Sequence, residues 1–159
     1  MSRIAYRHGD VVILPLESNE AEQVLNKNTK PVRYPAEGKR TMDATLALGE
    51  VTGHSHVVDN VLAVQDEIGT NWNDRDWTAS LANALGIAGG VATRQNWGQE
   101  PTVVPTAAQL PADAKVVEIG EGGGTLTHQE HATIKLPQGT YMVFQQREFW
   151  GGEPRRVFD

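Results

Sequence analysis

Along most of the chain, apolar residues come in short runs or alternate with polar ones, and glycine, proline and Asp/Asn pairs separate them. That is the pattern of strands joined by turns. Gly9-Asp10 is a turn signal, and Val11-Val12-Ile13-Leu14 after it reads as a buried strand closed by Pro15. Glu17 to Gly38 is polar and reads as a long surface excursion, with room for one helical turn at Glu20–Leu25. Thr45 to Glu50 predicts a second strand and His54 to Val58 a third, separated at Gly53. Asp59-Asn60 then predicts a tight hairpin turn, with Val61–Val64 as the returning strand. Lys115–Ile119, Thr125–His128 and Ala132–Leu136 continue the strand pattern, and Thr140–Arg147 is the longest strand candidate. The glycine run 120–124 reads as a turn, because no Walker-type lysine follows it. The tail from Gly151 is short and charged.

The middle of the chain is different. Asn73 or Asp74 can cap a helix in which Trp77, Leu81 and Leu85 share one face, and Gly86 can end it. Residues 69–114 therefore read as an insertion into a single β domain spanning 1–159, with one helix at about 74–86. The expected fold is mainly β, a small barrel or sandwich carrying that inserted helix.

Composition narrows the function classes. A chain of 159 residues fits one domain with a sizeable core. The absence of cysteine removes disulfides and thiolate metal sites. Fourteen basic against twenty acidic residues give a net charge of −6, which argues against a phosphate-backbone binder. The first residues show no signal-peptide pattern, and no apolar stretch approaches the ~20 residues of a membrane helix. The expected setting is the cytoplasm, or a virion if the protein is phage-encoded.

The concentrated chemistry lies in two histidine pairs, His54-Ser55-His56 and His128-Gln129-Glu130-His131. In a strand, residues i and i+2 share a face, so His54 and His56 can converge on one point. The second pair sits at a strand–turn–strand junction, where His128, Glu130 and His131 can aim at a shared centre. His54, His56, His128 and His131 are thus candidate metal ligands, with Glu130 a ligand or general base. Such a set suits a divalent Zn, Fe, Mn or Ni ion. The competing reading is a structural polar cluster in which each imidazole bonds a carboxylate or carbonyl. Proton chemistry is a third: His131-Ala132-Thr133 has the His-x-Thr form of two-histidine phosphoesterases, but His54-Ser55-His56-Val57 does not repeat it in register. His8 stands alone and reads as a surface residue. Glu50 and Asp59 flank the first pair as possible orienting groups, Asp59 reading better as a turn residue. Arg147 beside Glu148 can bind an anion or pair at a sheet edge. Trp72 and Trp97 lie in polar loops, where they suit a partner surface or cover for the sheet.

The segments Gly49-Glu50-Val51-Thr52-Gly53-His54-Ser55-His56 and His128-Gln129-Glu130-His131, the latter followed by Leu136-Pro137, Gly139-Thr140-Tyr141 and Gln146-Arg147-Glu148-Phe149, resemble a pattern in small, largely uncharacterised bacterial and phage-encoded proteins. The similarity covers roughly 50 residues in three blocks, the first being the early Gly-Asp-Val strand. Gln129 and Phe149 depart from the Glu and Tyr of that pattern. The resemblance ties the histidine blocks into one unit and names no reaction. A looser similarity to cupins rests on His54 and His56 as the metal-binding pair and on His128 or His131 as the later histidine. Asn60 and Val61 stand where that pattern places its carboxylate. Two function classes follow. One is a metal-binding β protein, acting as a hydrolase or oxygenase. The other is a non-catalytic phage structural or decoration protein that forms homo-oligomers or binds capsid proteins.

Overall fold

The computed structural model describes residues 4–27, 31–48, 55–66, 82–95, 99–104, 106, 114–129, 132–145, 147–150 and 153–156; for 25–27, 47–48, 147–150 and 153–156 it describes the backbone alone. The chain folds mainly as β structure, in the strands β1 (Ile4–His8), β2 (Val11–Leu16), β3 (Val32–Arg33), β4 (Met42–Leu48), β5 (Ser55–Gln65), β6 (Val91–Arg94), β7 (Thr102–Val104), β8 (Lys115–Ile119), β9 (Gly124–Thr127), β10 (Ile134–Leu136), β11 (Gly139–Gln145), β12 (Arg147–Trp150) and β13 (Glu153–Arg156). Eleven of these form one sheet in the order β10-β9-β5-β8-β11-β2-β1-β6-β7, with β3 and β4 also paired to β5. The path has two ends, so the sheet does not close and the barrel alternative is replaced by a sandwich-like arrangement. β12 and β13 form a separate hairpin in the tail.

The expected hairpin at Asp59-Asn60 is not formed. β5 runs unbroken from Ser55 to Gln65 and bends instead, with Asn60 at φ 58° and a register shift between Val61 and Ala63. Asn tolerates this left-handed conformation better than most residues. Before the bend β5 pairs with β9, through Val57↔Thr127 and Val58↔Leu126; after it β5 pairs with β8, from Val61↔Ile119 onward. The 120–124 turn between β8 and β9 sits against the bend. Asn60 Nδ2 donates to the carbonyls of Glu121 and Gly123 (2.9 and 2.8 Å), and its own carbonyl accepts from Gly120 N at 2.8 Å. Asp59 Oδ1 accepts from Thr125 N at 2.7 Å. A Cβ on Gly123 would lie 2.6 Å from the Leu136 carbonyl oxygen, and φ there is +82°. The turn chemistry of Asp59-Asn60 is real, but it receives another turn and does not reverse its own strand.

Two apolar clusters flank the central strands. Val11, Ile13, Tyr141 and Val143 pack with Ala44, Leu46, Val58, Leu126, Ile134 and Leu136, joining β2 and β11 to the layer of β4, the first half of β5, β9 and β10. Val12, Leu14, Met142 and Phe144 point the other way and pack with Val24, Leu85, Ile87, Val91 and Val104. Burial on both faces explains why 11–14 is a continuous apolar run. Pro15 does not end β2. It pairs with Tyr141 of β11, and the register of β2 with β1 covers only Val11–Ile13, so the missing N–H interrupts no ladder there.

Helix α1 spans Ser18–Lys27, longer than the single turn expected. Glu17 begins it: its carbonyl accepts from Ala21 N, and Glu20 Oε1 reaches back to its amide at 2.9 Å, half of a capping box. Val24 is its fully buried anchor. Of the helix expected at 74–86, residues 74–81 lie outside the described residues. Residues 82–84 are helical and end at Gly86 (φ 74°), where Ile87 N and Ala88 N bond back to the Ala82 carbonyl. The stretch after it is more than an insertion. β6 pairs in parallel with β1, and β7 pairs with β6, so this segment supplies one end of the main sheet.

Two outcomes follow. Both Asn60→Val and Asn60→Gly lose the two amide bonds, but valine also places a β-branched side chain at positive φ and will cost about 1–2 kcal/mol more, read from urea midpoints at unchanged m. Tyr141 donates to the Pro137 carbonyl at 2.6 Å, and burial, with a smaller push from Tyr6, moves its hydroxyl up to about 12. The folded value lies above the ordinary 10, so this group's stabilisation is complete below pH 10 and is lost as pH rises toward 12. A spectrophotometric titration will show one tyrosine ionising near pH 12, and Tyr141→Phe will remove that step.

Candidate functional site

The site is assembled at one end of the cluster between the two layers, where successive apolar rows finish in polar residues. On β11 the inward row Tyr141, Val143 ends in Gln145; on β5 Val58 is preceded by His56; on β9 Leu126 is followed by His128; on β1 Tyr6 is followed by His8. His8, His56 and Gln145 are 2 %, 0 % and 4 % exposed, and Asp10 is 2 % exposed. Only the need for partners allows such groups to sit there.

Each arrives for a local reason. The β1–β2 hairpin turns through Gly9 (φ 61°) and Asp10, with His8 opposite Val11. Glycine at the first loop position with positive φ is what a two-residue hairpin of this kind requires. The turn carries His8 and Asp10 to the same edge. The β5–β9 ladder pairs Val57 with Thr127, so its next step sets His56 opposite His128, and their ring centroids lie 4.3 Å apart at 31°. Gln129 Oε1 accepts from Ser55 N at 3.1 Å and fastens the two histidine blocks together. A glutamate at 129 would accept the same bond, so this departure from the resembling proteins keeps the contact.

The rings are tightly specified. His8 Nδ1 and His56 Nδ1 are 2.9 Å apart, and the rings meet nearly edge to face at 5.0 Å and 77°. His8 Nε2 donates to the Ala132 carbonyl at 2.8 Å. His56 Nε2 faces Asp10 Oδ1 at 3.6 Å, and Gln145 Nε2 donates to the other oxygen, Asp10 Oδ2, at 2.9 Å. The His128 ring lies 6.1 Å from that of His8. A chain of polar contacts thus runs Ala132, His8, His56, Asp10, Gln145, with His128 stacked on His56.

Against expectation, His8 is not a surface residue but sits at the centre of this group. Its isolation in sequence hid it. The available signal was its in-phase position with Tyr6 immediately before the Gly9-Asp10 turn. Asp10 and Gln145 were likewise legible only as a turn residue and a strand end. Asp59 lies within β5 and accepts from Thr125 N, so it is neither the hairpin-turn residue expected nor seen against a histidine. Of the predicted residues, His56 and His128 are brought together; His54, Glu130 and His131 lie outside the described residues, as do Glu50, Trp72, Trp77 and Trp97. Among the described residues, no group of three or more histidine and carboxylate side chains is disposed to hold a metal ion. No helix among them is long and apolar enough to cross a membrane.

A groove of about 460 Å³ is lined by Tyr6, Gln95, Gly122, Thr133, Lys135 and Pro137, none of them a residue of the cluster. Tyr6 shares a strand face with His8, and Thr133 follows the carbonyl that His8 bonds.

A family model described as a domain of unknown function (DUF8820) matches residues 79–146. That stretch carries β6 to β11 and His128 but not the strands that bear His8, Asp10 and His56. No curated protein and no solved structure matches the chain.

The Gln145 contact can be tested directly. Gln145→Leu removes the donor to a buried carboxylate and is expected to lower stability by about 1.5–3 kcal/mol. Gln145→Glu sets a second carboxylate beside Asp10 and should cost more. Urea denaturation of both variants, compared at unchanged m, checks the order.

Proposed function

We propose that this protein binds a divalent transition metal ion through its histidine cluster. His56 and His128 would be ligands, together with their sequence neighbours His54 and His131, and Glu130 would act as a further ligand or a general base. The observation that carries this reading is the meeting of the two histidine blocks, whose rings at 56 and 128 stand 4.3 Å apart across the β5–β9 ladder. Imidazole is the commonest protein ligand for such ions. The chain has no cysteine to compete for the metal. The surroundings also suit ligation, since a ligating histidine commonly holds its second nitrogen on a carboxylate or carbonyl, the kind of group His56 faces in Asp10. Three of the five proposed ligands lie outside the described residues, so the site is completed by their place in sequence.

A bound ion would supply Lewis acidity, or a hydroxide from bound water near neutral pH. This is the basis for a hydrolase or oxygenase reading.

Elemental mass spectrometry on untagged protein will find near-stoichiometric Zn, Fe, Mn or Ni. The metal will fall sharply in His128→Ala, a half-buried position whose truncation leaves the core intact. His56→Ala will lose the metal as well but also stability, because it leaves Asp10 buried beside a cavity. Metal-free wild-type protein after growth with supplemented metals and reconstitution with each ion would overturn the proposal.

A further inference from the structure

We propose that the outer edge of β10 takes up an extended peptide segment of a partner protein, one that carries an acidic residue between two apolar ones. The proposal stands apart from the metal reading and uses none of its ligands.

The direction of the β10 backbone is the first step. β10 ends the sheet path on one side, and among the described strands it pairs with β9 alone. The register sets Lys135 opposite Thr125. Thr125 N donates to Asp59 of β5, which lies on the far side of β9 from β10. In an antiparallel ladder the N–H and C=O of one residue point the same way, and successive residues alternate. The bonds to β9 therefore fall to Ile134 and Leu136, and Lys135 turns its N–H and C=O to the outer edge.

That edge faces the groove of about 460 Å³, which five consecutive residues, 133–137, help to line. Successive side chains of a strand point to opposite faces, so a groove touched by all five runs along the edge and not over one face. The side chains of Ile134 and Leu136 are taken by the core, at 4 % and 2 % exposure. Tyr6 of β1 and Gln95, next after β6, stand across the groove. At either end the segment is already held: the Ala132 carbonyl accepts from His8 and the Pro137 carbonyl from Tyr141. Between these points the backbone of Lys135 and the hydroxyl of Tyr6 make no hydrogen bond among the described residues. The open window, 133–136, corresponds to about 13 Å of extended chain.

The chemistry of the window selects its occupant. A peptide added to this edge bonds the N–H and C=O of Lys135, as strands do when they extend a sheet. The residue set opposite Lys135 shares its face. Lys135 is exposed and in no ion pair among the described residues, so a carboxylate is the matching side chain. The residues on either side of that carboxylate take the face of Ile134 and Leu136, where Tyr6 packs against the core, and apolar side chains suit them. A lysine on a three-residue edge strand also discourages pairing with a second such edge. Two copies meeting there would set Lys135 against Lys135, which favours a different chain as the occupant.

The probe is an end-capped peptide, Thr-Val-Glu-Val-Thr, with Thr-Val-Lys-Val-Thr as its control, each titrated into the full chain and followed by backbone amide NMR. The glutamate peptide should shift the amides of 133–136 and slow hydrogen exchange at Lys135. Its Kd should be lower than that of the lysine peptide by about threefold or more, the scale of a cross-strand charge pair. In Lys135→Glu, a change at an exposed side chain, the preference should reverse. No shift with either peptide at millimolar concentration overturns the proposal, and so does binding that ignores the charge at both positions. Shifts of the same amides on raising the protein concentration alone would identify a second copy as the occupant and overturn it as well.

Discussion

The bend of β5 at Asp59-Asn60 is the constraint on which the rest of the molecule depends. An eleven-residue strand with no break would stay in one layer. Asn60, held in the left-handed region by its own amide bonds to Glu121 and Gly123, directs the first half of β5 away from β8 and onto β9. Val58, Leu126, Ile134 and Leu136 can then close over Val11, Ile13, Tyr141 and Val143. The two halves are locked by a turn that only glycine can make, since a side chain at 123 would meet the Leu136 carbonyl. Hydrogen bonds of neutral amides contribute modestly one by one. Here they decide which side of the core a whole layer occupies, so their effect is geometric as much as energetic.

The same bend brings His56 to His8. Forty-eight residues separate them in sequence, yet their Nδ1 atoms are within hydrogen-bond distance, because β1 ends where the folded-over half of β5 begins. Strand parity does the rest. Each inward row that carries valine, leucine or tyrosine through the core carries a histidine or glutamine one step further, so the polar residues meet as a group at one end. The turn at Gly9-Asp10 supplies the carboxylate.

The alternating and continuous apolar patterns locate β2, β8, β9, β10 and β11 in the sequence with useful accuracy, because burial on one or two faces writes itself into residue type every second position. The layer order is not written that way. Asp59-Asn60 has the composition of a hairpin turn, and nothing local distinguishes a turn from a bulge that receives a distant turn; the difference lies in Gly123 and Leu136, more than sixty residues on. The site was half legible for the same reason. A His-x-His pair on a strand and a second pair after another strand announce themselves by spacing. His8 carries no such mark, and its role comes from the ladder that sets it against His56. Gln145 reads as one more residue of an amphipathic strand until its amide is found on Asp10.

A buried polar group of this kind is seldom retained for stability alone. An ion pair or histidine network taken out of water recovers its desolvation cost only with good geometry, and well-packed apolar residues of similar volume often serve a fold as well or better. The neighbouring rows show that this fold has such residues to hand, since valine and leucine fill the same faces one step inward. At this end the chain instead places three imidazoles, a carboxylate and an amide, drawn from strands and from the turns beside them. His8 holds its outer nitrogen on the Ala132 carbonyl and shares a hydrogen bond through its inner nitrogen with His56, whose outer nitrogen faces Asp10. A structural network satisfies donors with acceptors. Here the bonds of 2.8–2.9 Å join side chains and a carbonyl from separate segments of the chain, so the network fixes how those segments meet as well as how they pack.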